Sequence, residues 1–116
     1  QERETGHWYQ LPARKGEAGN WMESSCTAMF AYGISAALDL GLVNDDAYRT
    51  CVTRTYNGLR EYSIIPAGTH YLTTQNVCTG TCIGHAQYYY KRKAKIGSPY
   101  GLGMFIQFGR RYERRN

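Results

Sequence analysis

The sequence predicts an all-α chain of about three helices joined by short extended segments. Three observations carry that prediction. Residues 20–40 are apolar or small around nearly the whole helical circumference, a second stretch from Asn44 keeps its apolar residues to one stripe, and Ser98-Pro99 opens a third stretch with apolar residues at helical spacing.

In chain order, residues 5–11 (TGHWYQL) read as a short extended or turn segment ended by Pro12, and residues 13–19 as a polar connector. Helix one is expected to start at Asn20 as N-cap, with Glu23 three positions later where a capping box places its acid. Met22, Cys26, Met29, Phe30, Gly33, Ala37 and Leu40 mark one face. Ala28, Ala31, Tyr32, Ile34, Ala36 and Leu38 make the opposite side almost as apolar. A helix apolar nearly all round is buried on both flanks. Gly41 supplies its C-terminal stop.

Asn44-Asp45-Asp46 gives helix two a capping residue and first-turn acids. Tyr48, Val52, Tyr56 and Leu59 form its apolar stripe, while Arg49, Thr53, Asn57 and Arg60 face water. Helix two is therefore an outer helix covering helix one in an αα-hairpin, its end blurred by Gly58 and set by Pro66. Residues 69–87 read as short strand and loop, and Tyr88-Tyr89-Tyr90 as a continuation of that extended character. Helix three takes Ser98 as N-cap and Pro99 as first residue, with Leu102, Phe105, Ile106 and Phe108 on its apolar face.

At 116 residues the chain is one domain, residues 1–116. Its mean hydropathy of -0.56 and 42% hydrophobic content suit a globular chain, and no apolar run approaches the ~20 residues that span a bilayer, so no membrane is expected. The start Gln1-Glu2-Arg3-Glu4 carries neither an initiator Met nor a signal-peptide core, as in a processed or truncated chain, and leaves cytoplasm and periplasm open for a bacterial protein. The charge of +5 concentrates in Lys91–Lys95 and Arg110–Arg115, read as solvated charge or attraction for an anionic substrate; no nucleic-acid signature interleaves it. Eleven tyrosines suit a sugar cleft or a large buried contact alike. Cys26 and Cys51 fall on apolar helix faces, and Cys78 and Cys82 flank a loop near His70 and His85. Ordinary thiols are favoured there over a disulfide or a zinc site, since no standard finger spacing is met, and neither metal nor cofactor is expected.

Several segments resemble glycoside hydrolase families 88 and 105, the unsaturated glucuronyl and rhamnogalacturonyl hydrolases. Thr5-Gly6-His7-Trp8-Tyr9-Gln10 resembles their TG-x-WYQ segment. Residues 20–32 (NWMESSCTAMFAY) resemble their inner helix ESS-x-(ST)AMF-x-Y, which is the specific match. Gly41-Leu42 is similar to the following turn, Cys78–Gly84 with Tyr88–Tyr90 to the GTC-x-G … YYY region, and Tyr100–Gly103 to the opening of the last helix. These segments run in family order across nearly the whole chain.

The resemblance implies an (α/α)6 barrel, a toroid of αα-hairpins with its pocket at the N-terminal ends of the inner helices. This chain would be its C-terminal portion, an incomplete barrel. The implied reaction hydrates the C4–C5 double bond of a terminal unsaturated uronic acid on lyase-generated oligosaccharides. An aspartic acid protonates the vinyl ether, water adds at C5, and the hemiketal collapses. That aspartate and the WARGNGW segment lie upstream of TG-x-WYQ in the family and are absent here. Gly97-Ser98-Pro99-Tyr100-Gly101 stands where the family has an Asp-His-Gly-like turn.

No catalytic residue is assigned within the chain. Asp39, Asp45 and Asp46 sit at the far end of helix one, and capping explains Glu23, so the chain alone is expected to be inactive. The substrate-binding candidates are Trp8 and Tyr9, stacking on a ring or packing a wall; Gln10, bonding a hydroxyl or backbone; and Ser24 and Ser25, at a helix start whose free N–H groups favour a uronate carboxylate. His7, His70 and His85 read as structural or exposed. Three helices cannot close the ring, so helix one keeps apolar sides exposed unless the missing N-terminal portion or a second copy covers them. The alternative reading is a non-catalytic carbohydrate-binding or interaction remnant of the same fold; a small protein stabilised by metal at the Cys/His loop is the third.

Overall fold

The structure, a computed structural model, describes residues 1–115. The chain runs β1 (Trp8–Tyr9), a 3-10 turn (Pro12–Arg14), β2 (Met22–Glu23), α1 (Ser24–Asp39), α2 (Asp46–Gly58), a π-turn (Leu59–Ser63), β3 (Ile64–Pro66), β4 (Leu72–Thr74), β5 (Val77–Cys78), α3 (Ala86–Tyr90), β6 (Ala94–Lys95) and α4 (Pro99–Glu113). The strands form three two-stranded antiparallel ribbons, β1–β2, β3–β4 and β5–β6.

Helix one begins later than Asn20. Met22 and Glu23 pair with Tyr9 and Trp8, and that pairing holds them extended. Glu23 is the N-cap, accepting from the N–H groups of Ser25 and Cys26. Asn20 instead closes the preceding loop, its amide donating to the carbonyls of Leu11 and Arg14 and accepting from Leu11 N–H. The other end follows the sequence. Gly41, at φ +68°, donates to Leu38, and Leu42 donates to Ala37, a Schellman closure.

Asp45 caps α2 through Ala47 N–H. Val52 and Leu59 are buried as expected, whereas Tyr48 lies open and Thr55 takes its place inside. Threonine is tolerated there because its one hydroxyl hydrogen is shared between the Cys51 and Gly6 carbonyls and its oxygen accepts from Gln1. The N-terminal segment thus lies along α2. Gly58 is required at that crossing, since a Cβ would stand 1.7 Å from the Thr5 carbonyl oxygen.

The core is the contact of α1 with α4 and α2: Ala28, Ala31 and Leu38 against Phe105 and Phe108, closed by Val52 and Leu59. Tyr56 stacks on Tyr112 at 4.1 Å and meets Phe108 edge-on. Of the two apolar faces of α1, only this one is covered among the described residues. Met29, Phe30, Gly33 and Leu40 line an open flank, so burial on both sides is not met there, and the exposure expected of helix one without a covering partner is. Helix α4 divides likewise, with Phe105 and Phe108 inside and Leu102 and Ile106 outside.

Two further expectations change. Tyr88–Tyr90 belong to the short helix α3 rather than an extended segment. The C-terminal arginines are not all solvated: Arg111 and Arg115 hold Asp39 at 2.7 and 3.0 Å, and Arg115 also donates to the Ser35 carbonyl. Two cations therefore meet the C-terminal end of α1, where the helix dipole favours them. No helix among the described residues is long and apolar enough to cross a membrane.

Candidate functional site at the N-terminal end of α1

A cavity of about 270 Å³ opens at the tip of α1, lined by Gln10, Glu23, Ser25, Cys26, Met29, Cys78, residues 79–81, Tyr89 and Tyr100. It gathers four parts of the chain: the β1–β2 ribbon, the first turn of α1, the loop after β5, and aromatics from α3 and α4. Larger grooves of about 510 and 480 Å³ lie along the outer side of α2 and beside the C-terminal arginines. Neither contains any of the predicted site residues.

Glu23 is the centre of the cavity's polar floor and is 3% exposed. Its carboxylate accepts from Ser25 N–H at 3.0 Å, Ser25 Oγ–H at 2.7 Å, Cys26 N–H at 2.5 Å and Cys78 N–H at 2.8 Å. The free N–H groups expected to attract a uronate carboxylate are thus already held by an internal carboxylate. Helix ends need such partners, and Glu23 supplies one that also ties β5 to α1. Cys26 and Cys78 flank it as thiols. Burial first, and then the neighbouring Glu23 charge, push both above the ordinary thiol value.

Gln10 lies on the cavity wall. Its Nε2 donates to the Tyr89 carbonyl at 3.1 Å, and its Oε1 accepts from the Cys78 thiol at 3.6 Å. A primary amide carries two hydrogens and two lone pairs, so these bonds commit one of each. Ser25 also borders the cavity, with its hydroxyl directed to Glu23.

The other predicted residues are placed differently. Ser24 is fully buried, its hydroxyl 2.8 Å from Ser63 Oγ, and belongs to the core rather than the cavity. Trp8 packs edge-on against Phe30 at 5.6 Å, beside the open flank of α1, while its backbone N–H donates to the Thr27 hydroxyl. Tyr9 is half-buried opposite Met22. Of the five candidates the cavity lining brings together Gln10 and Ser25. His7 is structural and buried, and His70 and His85 are exposed. All four cysteines are free, and among the described residues no three His, Cys, Asp or Glu side chains gather as a metal site.

Sequence reasoning missed Tyr89, Tyr100 and Cys78 as lining residues. Tyr89 and Cys78 lay in segments read as extended or as loop, where no periodicity assigns a facing direction. Asp39, the only aspartate on α1, stands at the opposite end of a 16-residue helix, roughly 24 Å away, and is held by two arginines.

A model of Glycosyl Hydrolase Family 88 matches residues 1–116. Among solved structures, the chain is similar to a glycoside hydrolase from family 105 of C. acetobutylicum ATCC 824, with a TM-score of 0.85 and 22% identity over 98% of this chain and 33% of that one. It is also similar to a possible family 105 member from Salmonella enterica serovar Paratyphi A, at a TM-score of 0.82 and 27% identity, covering 97% of this chain and 27% of that one. A possible family 105 member from Klebsiella pneumoniae matches with a TM-score of 0.81 and 26% identity, over 97% and 27%. The chain therefore spans about a third or less of the length of these structures.

Proposed function

The chain belongs to glycosyl hydrolase family 88, and on that premise we propose that it is the C-terminal portion of an (α/α)6-barrel hydrolase acting on unsaturated uronic acids. The reaction hydrates the C4–C5 double bond of the terminal residue of a lyase-generated oligosaccharide. The observation that carries this reading is the cavity at the N-terminal end of α1, where Gln10 and Ser25 offer polar contacts and Tyr89 and Tyr100 offer aromatic surface. A few fixed polar groups on an aromatic wall suit a sugar. At about 270 Å³ the cavity is smaller than most small-molecule sites, which suits one wall of a larger pocket.

In this reading Gln10 bonds a sugar hydroxyl with the part of its amide that Tyr89 and Cys78 do not use. Trp8 and Tyr9 border the sugar path, and Ser24 supports the helix tip from inside. The catalytic acid comes from outside these 116 residues. Glu23 is engaged by four donors, and Asp39 is paired at the far end. The rest of the barrel covers the open flank of α1, where Met29 and Phe30 are each over 40% exposed. Their position on the helix that also carries the site supports that placement.

The test follows the absorbance of the unsaturated uronyl double bond in a disaccharide. The chain alone is expected to bind without turnover, and a polypeptide that completes the barrel to consume the double bond. Turnover by the 116 residues alone would overturn the assignment of the acid. Binding without turnover in the completed barrel would move the reading to a non-catalytic carbohydrate-binding remnant.

A further inference from the structure

We infer that Glu23 is a positioning residue that decides which part of the sugar faces the tip of α1: a neutral, hydroxyl-bearing edge, and not the uronate carboxylate. The inference rests on the functional reading above. It starts from occupancy. The N–H groups of Ser25, Cys26 and Cys78, with the Ser25 hydroxyl, make a convergent set of donors of the kind that binds a substrate anion, and the Glu23 carboxylate fills it. Glu23 is itself almost wholly buried while lining the cavity. A second carboxylate entering here would meet a like charge in a poorly solvated site, with its donors already taken.

Glu23 also reaches the sugar-facing amide. Its carboxylate holds Cys78 through the backbone N–H; the Cys78 thiol donates to Gln10 Oε1; Gln10 Nε2 donates to Tyr89. The donor on one side and the acceptor on the other set which way the Gln10 amide points. Glu23 acts through Cys78 and Gln10 and touches no reacting atom in this scheme.

The experiment is an NMR titration of the ¹⁵N-labelled protein with sodium acetate and, separately, with an unsaturated uronyl disaccharide. In wild type, acetate is expected to leave the amides of Ser25, Cys26 and Cys78 unmoved, and the disaccharide to move the Gln10 side-chain amide. In Glu23→Ser, which keeps an oxygen able to cap the helix, acetate is expected to move those three amides with at least about tenfold tighter binding than in wild type. A Glu23 with a purely structural role would change stability without creating an acetate response. Acetate shifting the three amides in wild type, or leaving them still in a folded Glu23→Ser, overturns the inference. If that variant does not fold, the wild-type acetate arm decides alone. A disaccharide that moves none of Gln10, Ser25 and Tyr89 defeats the sugar-site reading instead, and the acetate arms register that difference.

Discussion

His7 Nε2 lies 2.6 Å from Ser63 Oγ, and its Nδ1 lies 2.7 Å from the Thr5 carbonyl oxygen. A carbonyl only accepts, so Nδ1 carries the hydrogen, Nε2 accepts from the Ser63 hydroxyl, and Ser63 in turn accepts from Ser24. Three segments distant in sequence meet in this buried row: the N-terminal segment, the π-turn and the first turn of α1. A π-turn brings Ser63 to that point before β3 begins.

Acid should therefore loosen the tip of α1. Burial, the largest cause, lowers the His7 pKa below the ordinary 6.5. The unfolded chain then binds the proton more readily than the folded one, so this contribution is present above about pH 6.5 and is lost as pH falls toward the depressed value. Urea unfolding between about pH 7.5 and 5 should show stability falling by up to ~1.4 kcal/mol per pH unit from this group. His7→Gln should be less stable at neutral pH and flatter across that window. A profile unchanged by the substitution would remove His7 from the account.

Two glycine substitutions should act in opposite directions. Gly58→Ala drives a Cβ to 1.7 Å from the Thr5 carbonyl oxygen, a backbone atom on a segment that is itself hydrogen-bonded to α2. A loss of about 3 kcal/mol is expected by chemical denaturation. Gly33→Ala meets nothing within 4 Å and lies inside a helix, so it should stabilise the chain by ~0.5–1 kcal/mol. If a further segment covers this flank, as proposed above, the same alanine would enter the contact, and the gain should shrink or reverse.

Asp39→Asn should cost about 1 kcal/mol at low salt and progressively less as salt is added. The carboxylate is 34% exposed and pairs with two arginines, each in reach of the C-terminal end of α1. Thermal unfolding at two ionic strengths reads this. A penalty independent of salt would mean that packing, and not charge, holds α4 to α1 there.

Alkylation should follow exposure and thiol acidity. Cys82 is exposed and should react first with iodoacetamide. Cys26 should react last, because burial and then the Glu23 charge keep its thiol protonated. Mass spectrometry of a timed reaction gives the order. Early labelling of Cys26 would show that the tip of α1 opens readily.

Some end signals were legible locally. Gly41 and Pro99 each act within a few positions of themselves, and the structure uses both where they stand, whereas the cap of α2 falls on Asp45, one residue after Asn44, whose side chain accepts from Arg49 instead. The start of α1 was misplaced because a competing interaction, the pairing of Met22–Glu23 with Trp8–Tyr9, holds those residues extended past Asn20. The same holds at the site. Gln10 and Ser25, singled out by their segment and their helix position, both line the cavity, while Ser24 lies in the core beside Ser63.

Local sequence specifies the bodies of the long helices, the Gly41 and Pro99 signals that bound two of them and the family motifs they carry, because periodicity and end signals depend on neighbours within about one turn. Packing in three dimensions selects which apolar face of α1 is covered, and pairs Glu23 with Cys78 and Asp39 with Arg111. The two pairings join residues 55 or more positions apart, and no local pattern encodes which of two similar faces meets a partner.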